Sequence, residues 1–397
     1  MRNVCTHYSL KPLSPQFFSA LRFCDPSEPL FLRLRVVELN NIPGDSIPLI
    51  PSVISPRTTS IDITFFERSL HLPTAASAIA TLPALCPNLE RICLPRLPSD
   101  PVITTAVSEL AISTNQNTLR HFDVGSPLTE LAREVIYKHP ELRALRTVVD
   151  TSTALPTMVL PNLLNMEIEY HGSHNWIQGF HKASLGKLVS VIIFAESESI
   201  GDFLGAFKAV ALTTSIPTML SNFEFLTKCS WRPSYHSLLP FTQMRRLIIQ
   251  SPCKLGDCSS TIGDDTITAL ARAMPNLETL NFDDDPCDAS VGVTVKGLAT
   301  LAYYCPSLLH LVIHFQVASL DPRDIPSFPS ADESTIPRRR PPLPILEAGY
   351  ICVPRRSAVF VAVTLLLIFP SIQKIHFFEN ATGWDRVMEI IDHARMK

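Results

Sequence analysis

A chain of 397 residues, 46% hydrophobic and 18% charged, is too apolar to be an unfolded polyelectrolyte and long enough for a large core or many stacked repeats. Its net charge of −3 leaves no electrostatic footprint for nucleic acid. Ten scattered cysteines without a Cys-x-x-Cys pair, and no apolar leader between Met1 and Phe23, argue against a disulfide framework and against secretion. The longest apolar run, Ala358 to Phe369, is too short to cross a bilayer and reads as a buried helix. No membrane partner is therefore expected, and a cytoplasmic or nuclear location follows.

In chain order, residues 1–30 are a weakly patterned N-terminal cap, in which Ser14 to Phe23 could form a helix. From residue 31 to 397 one pattern recurs. Leu34-Arg35-Val36-Val37-Glu38-Leu39 is its first strand, and Thr58 to Ile63 a degenerate second. Helices are predicted over Ala75–Leu85, Val102–Ile112 and Leu128–Lys138, each followed by a strand: Leu89–Leu94, Leu119–Val124, Leu142–Leu145. Strands starting at Leu163, Leu188, Phe223 and Met244 continue the series, with a helix over Ile200–Thr213. Residues 171–181 and 322–344 read as loop insertions. Pro344 should leave the strand Leu343–Ala348 edge-like or irregular, because proline donates no ladder hydrogen bond. A helix over Arg355–Phe369, a strand over Ile372–Phe377 and an amphipathic helix over Trp384–Met396 close the chain.

The unit is clearest between Gly263 and Gln316, where it occurs twice. Ile267, Leu270, Ala271 and Met274 recur at helical spacing, with Asp264 or Asp265 as the expected N-cap. Pro275 stops the helix, because a residue before proline avoids the helical region. In Leu277-Glu278-Thr279-Leu280-Asn281-Phe282 the residues Leu280 and Phe282 alternate onto one face, which a single strand cannot bury alone. Stacking the next coil covers that face. Roughly thirteen such units, at a mean step of about 28 residues, give an α/β leucine-rich-repeat solenoid: an irregular horseshoe with parallel strands on the concave side and helices on the convex side. The excess of 34 prolines over 13 glycines fits a proline closing each turn, and Cys86 and Cys305, both before a proline, read as buried small hydrophobes.

Cys-Pro-Asn-Leu-Glu-Arg-Ile-Cys-Leu at 86–94, Met-Pro-Asn-Leu-Glu-Thr-Leu-Asn-Phe at 274–282 and Phe-Pro-Ser-Ile-Gln-Lys-Ile-His-Phe at 369–377 resemble the repeats of F-box proteins. The resemblance is to the leucine-rich F-box families of mushroom-forming fungi, and it runs from about Leu30 to the C-terminus. In that family a three-helix F-box docks on the adaptor of a cullin-RING ubiquitin ligase, and the repeats hold the substrate. The Leu-Pro-x-Glu start and the Trp-bearing helix of an F-box are not found before residue 34. A cullin-RING adaptor is thus expected only if an F-box lies upstream.

No motif names a reaction: Gly-x-Ser-x-Gly, Gly-x-Gly-x-x-Gly, a Walker loop and His-Glu-x-x-His are absent, so no enzyme and no cofactor is expected. Cys253, Cys258 and Cys287 with Asp257, Asp264 and Asp283–Asp285 match no zinc spacing, and no metal is expected. Asp283–Asp285 reads as a turn. His171, His174 and His181 around Trp176 form a polar insertion, and Arg338 to Pro344 has the spacing of an SH3 ligand within a loop. Asn380-Ala381-Thr382 is a chance glycosylation match.

The informative positions are those between strand anchors, which face outward. They include His121, Asp123, Asn165, Glu167, Arg246 and Ile248, then Thr279, Asn281, His310, Val312, Lys374 and His376. Mixed charges and apolar groups on such a ladder suit a protein or peptide on the concave face better than a polyanion. The expected function is a non-enzymatic protein-binding scaffold, like the substrate-receptor repeats of an F-box protein. The alternative is an orphan or degenerate structural or regulatory repeat protein with no ubiquitin link.

Overall fold

The computed structural model describes residues 33–66, 70–115, 117–149, 157–171, 183–185, 187–195, 205, 207–209, 219–227, 235–251, 262–284, 293–317, 321–325, 341–348, 352–377 and 382–396. The helix expected over Ser14–Phe23 and the residues His174, Trp176, His181, Cys253, Asp257, Cys258, Asp285, Cys287, Arg338 and Asn380 lie outside the described residues, as does most of Ile200–Thr213. The chain forms two compact units. One comprises Met1–His171 and Gln178–Lys187, the other Gly172–Ile177 and Leu188–Lys397.

The first unit holds six parallel strands in chain order: β1 (Val36–Ile42), β2 (Ser60–Phe65), β3 (Arg91–Leu94), β4 (His121–Pro127), β5 (Ala144–Val149) and β6 (Asn165–Tyr170). Among the described residues the longer helices that connect them are α1 (Leu72–Leu85), α2 (Pro101–Ser113) and α3 (Glu130–Tyr137). The second unit holds seven, again parallel and in order: β7 (Ser190–Ala195), β8 (Asn222–Thr227), β9 (Arg246–Ser251), β10 (Thr279–Asp284), β11 (His310–Val312), β12 (Ile345–Glu347) and β13 (Lys374–His376). Its helices include α4 (Asp264–Ala273), α5 (Val295–Tyr304), α6 (Ala358–Ile368) and α7 (Trp384–Arg395). A strand occurs at every place where the alternating pattern predicts one. Neighbours in the chain pair in the sheet, an α/β arrangement compatible with a solenoid.

Alternation explains the core. Val37, Ile61, Ile92, Phe122, Leu145 and Met166 stand side by side in register and are all buried. In the second unit Val191, Phe223, Leu247, Leu280, Leu311 and Leu346 do the same. Each such side chain contributes about 1.5–3 kcal/mol on burial, but only once the adjacent coil covers it. The first anchor of each motif sits just before its strand and is equally buried, as at Leu89, Leu119 and Leu277. The next carbonyl takes two N–H groups from the following coil: that of Arg120 accepts from Arg143 (2.8 Å) and Ala144 (3.0 Å), that of Glu278 from Leu309 (2.8 Å) and His310 (3.0 Å). Coils are thereby held at one height.

The helix ends are equally repetitive. Cys86, Met274, Cys305 and Phe369 each precede a proline, leave the helix with φ between −131° and −114° and ψ between 66° and 75°, and are buried. Their N–H groups still close the last helical turn, as in Cys305 to Leu301 at 2.9 Å. Burial pushes the Cys86 and Cys305 thiols up to about 12, so both behave as small hydrophobes. His139, before Pro140, is also buried, and neither ring nitrogen has a hydrogen-bond partner among the described residues.

Several expectations are corrected. Gly263, rather than an aspartate, is the N-cap of α4. Asp264 reaches the next coil instead: its carboxylate accepts from the Thr294 N–H (2.8 Å) and from the Thr294 hydroxyl, and Thr294 caps α5. A Cβ on Gly297 would collide with that carboxylate and with Val293, which is why the position carries no side chain. Strand β12 is interior, paired to β11 and β13, although Pro344 precedes it. Proline lacks a donor but keeps its acceptor, and the Pro344 carbonyl receives Gln373 and Lys374, each at 2.9 Å. Asp283 and Asp284 continue β10 against Gln250 and Ser251 instead of turning. Helix α6 buries Ala358, Val361, Ala362 and Leu365 but exposes Val359, Phe360, Val363 and Leu367, so it is a half-exposed helix.

Candidate functional site

The strand residues that do not enter the core form a second ladder on the opposite face of each sheet. In the first unit its middle row runs Glu38, Asp62, Cys93, Asp123, Arg146 and Glu167, one residue per strand in register. Parallel strands lie about 4.8 Å apart, so each of these side chains meets its neighbours. Arg146 Nε lies 3.0 Å from the Glu167 carboxylate and 3.8 Å from that of Asp123, bringing two of the predicted residues together through an arginine between them. Asp62 pairs with Arg91 at 3.7 Å.

The Cys93 thiol donates to Asp123 at 3.3 Å. Burial, then the Asp123 and Asp62 carboxylates, raise its pKa, so it stays protonated and is no nucleophile. His121 lies beside Arg91 in the adjacent row and is half-buried. Burial, then Arg91, lower its pKa, with Asp123 and Asp62 opposing, and the ring is neutral at pH 7. Asn165 is exposed.

In the second unit the corresponding rows differ in kind. The outer row includes Asn222, Arg246, Thr279, His310 and Lys374 in register. The next row includes Ile192, Glu224, Ile248, Asn281, Val312 and Glu347, and ends at His376. Arg246 donates to Glu224 at 3.2 Å, and His310 Nε2 lies 2.8 Å from the Glu347 carboxylate. Ile248 and Asn281 are half-buried, and Lys374 and His376 are exposed. Val312 is a correction: it is only 7% exposed and offers no contact surface. It shares the outward face with His310 but stands in register between Asn281 and Glu347, and Glu347 is drawn toward His310 beside it.

Asp62, Arg91, Cys93 and Arg146 on the first unit, and Glu224 and Glu347 on the second, share these rows; the sequence carries the signal for them, because they hold the same positions of the motif in the remaining coils. Of the loop histidines, His171 is described, with Nε2 3.1 Å from Glu169. Among the described residues no three metal-ligating side chains converge, and no helix is long and apolar enough to cross a membrane. No protein-family model matches the chain, and no curated protein is similar to it.

Proposed function

We propose that the chain is a leucine-rich-repeat scaffold that binds another protein through its outward strand faces and carries out no reaction itself. The observation that carries this is the in-register outward ladder, which holds charged, polar and apolar side chains on rigid strands. Such an array offers many shallow contacts along neighbouring strands, which suits a macromolecular partner better than a small substrate. The repeats at 86–94, 274–282 and 369–377 extend the proposal to the substrate-receptor part of an F-box protein.

The test uses affinity purification from cells that express the protein. Wild type and an Arg246→Glu/Thr279→Lys variant are compared by quantitative mass spectrometry, with the cullin adaptor scored among the captured proteins. A partner set lost from the variant is expected. Identical capture by both proteins would remove the binding role, and absence of the adaptor from wild-type samples would remove the ligase reading. The structural-repeat alternative draws on Arg146, whose charge is already balanced on its own face by Glu167 at 3.0 Å and Asp123 at 3.8 Å.

A further inference from the structure

The geometry points to a docking strip on the second unit for an acidic amphipathic peptide segment, one that pairs aliphatic or aromatic side chains with carboxylates. This rests on the protein-binding reading above and names the partner's chemistry. Two observations carry it. First, Ile192, Phe194, Leu226 and Ile248 all project outward from β7, β8 and β9, and each remains partly accessible. Phe194 is in register with Leu226, and Ile192 and Ile248 flank Glu224, so the four lie together on the outward side of three neighbouring strands. Apolar residues on both faces of a parallel strand mark a face that loses water to a covering group.

Second, the charged group most exposed beside these side chains is a cation. Glu224 is committed to Arg246 and is only 20% exposed, whereas the Arg246 side chain is 51% exposed and makes one side-chain bond among the described residues. Glu347 is committed to His310 at 2.8 Å. Lys374 is exposed and has no ion pair among the described residues. Arg246 and Ile248 are two residues apart on one strand, about 6.6 Å along it, so one peptide can seat an apolar group and a carboxylate together. The first unit offers no such match, because its outward row holds four carboxylates, Glu38, Asp62, Asp123 and Glu167, against one cation, Arg146, and disfavours an acidic segment.

The full chain is panned against a random-peptide display library, and the enriched sequence is synthesised with a fluorescent label for anisotropy titration. Enriched peptides should combine Leu, Ile or Phe with Asp or Glu. Their affinity should fall at least about tenfold in Ile248→Ser, a typical loss for a central contact. It should fall also in Arg246→Ser, which keeps the sheet face intact should the isoleucine variant melt early, and Asp62→Asn should leave it unchanged. Enrichment of Lys- and Arg-rich peptides, or loss of binding in Asp62→Asn with none in Ile248→Ser, overturns this inference while leaving the protein-binding reading standing. Binding insensitive to substitutions on either face, or no enrichment at all, overturns both.

Discussion

The two units are built on the same inward ladder and diverge on the outward one. Leu145 and Leu280 occupy the same position of the same motif and are both buried by a coil on either side. One residue further along each strand, the first unit places Asp62, Asp123, Arg146 and Glu167, while the second places Ile192, Glu224 and Ile248. Folding constrains only the face that loses water. The other face is free to differ, and the difference between a carboxylate-rich surface and an apolar one edged by cations is therefore where function is to be sought.

The largest expected effect tests the shared half of that comparison. Leu145→Ala and Leu280→Ala should each cost about 2–5 kcal/mol in urea unfolding, since both leave a cavity in a closely packed row. A much smaller loss in one unit would mean that its coils do not cover one another.

A smaller effect separates the units by pH. The first unit fills one helix corner with His139, where the second uses Met274, Cys305 and Phe369. Burial lowers the His139 pKa below its ordinary value near 6.5, with Glu141 opposing. Over that window the unfolded chain takes up the proton first, so stability is full above the unfolded pKa and falls as pH drops through it towards the folded value. His139→Met should keep stability at neutral pH and reduce its loss on acidification, read from thermal melts between about pH 7.5 and pH 5. Unchanged acid sensitivity would place the response elsewhere.

The smallest effect concerns the outward faces. Arg146→Met leaves Asp123 and Glu167 without their shared cation, but these groups are partly solvated. The cost should be below about 1 kcal/mol and shrink in high salt. Ile248→Ser should change stability by only about 0.5 kcal/mol, without salt dependence, because its side chain stays half in water. Equal salt dependence of the two variants would erase the contrast between the faces.

Much of this was legible in the residues. The alternation Leu-x-x-Leu-x-Leu marks each strand, Ile267, Leu270, Ala271 and Met274 mark the buried side of α4, and the residue before each proline marks a buried corner. What was not legible depends on partners a whole coil away. Asp264 looks like a cap for its own helix, and only the stacking turns its carboxylate to Thr294. Helix α6 is apolar on every side, so its periodicity cannot tell which side meets solvent. Val312 has the spacing of an exposed residue and is covered because of what stands beside it on β10 and β12.

The sequence by itself determined which strand anchors and which side of α4 lose water, because alternation along a strand and three- to four-residue steps along a helix are local properties of the backbone. The tertiary structure decided which charges meet, which outward positions stay accessible, and that the strand after Pro344 has a neighbour on each side. Those outcomes depend on the register between coils, and register is set by hydrogen bonds and packing between segments that are neighbours only after folding.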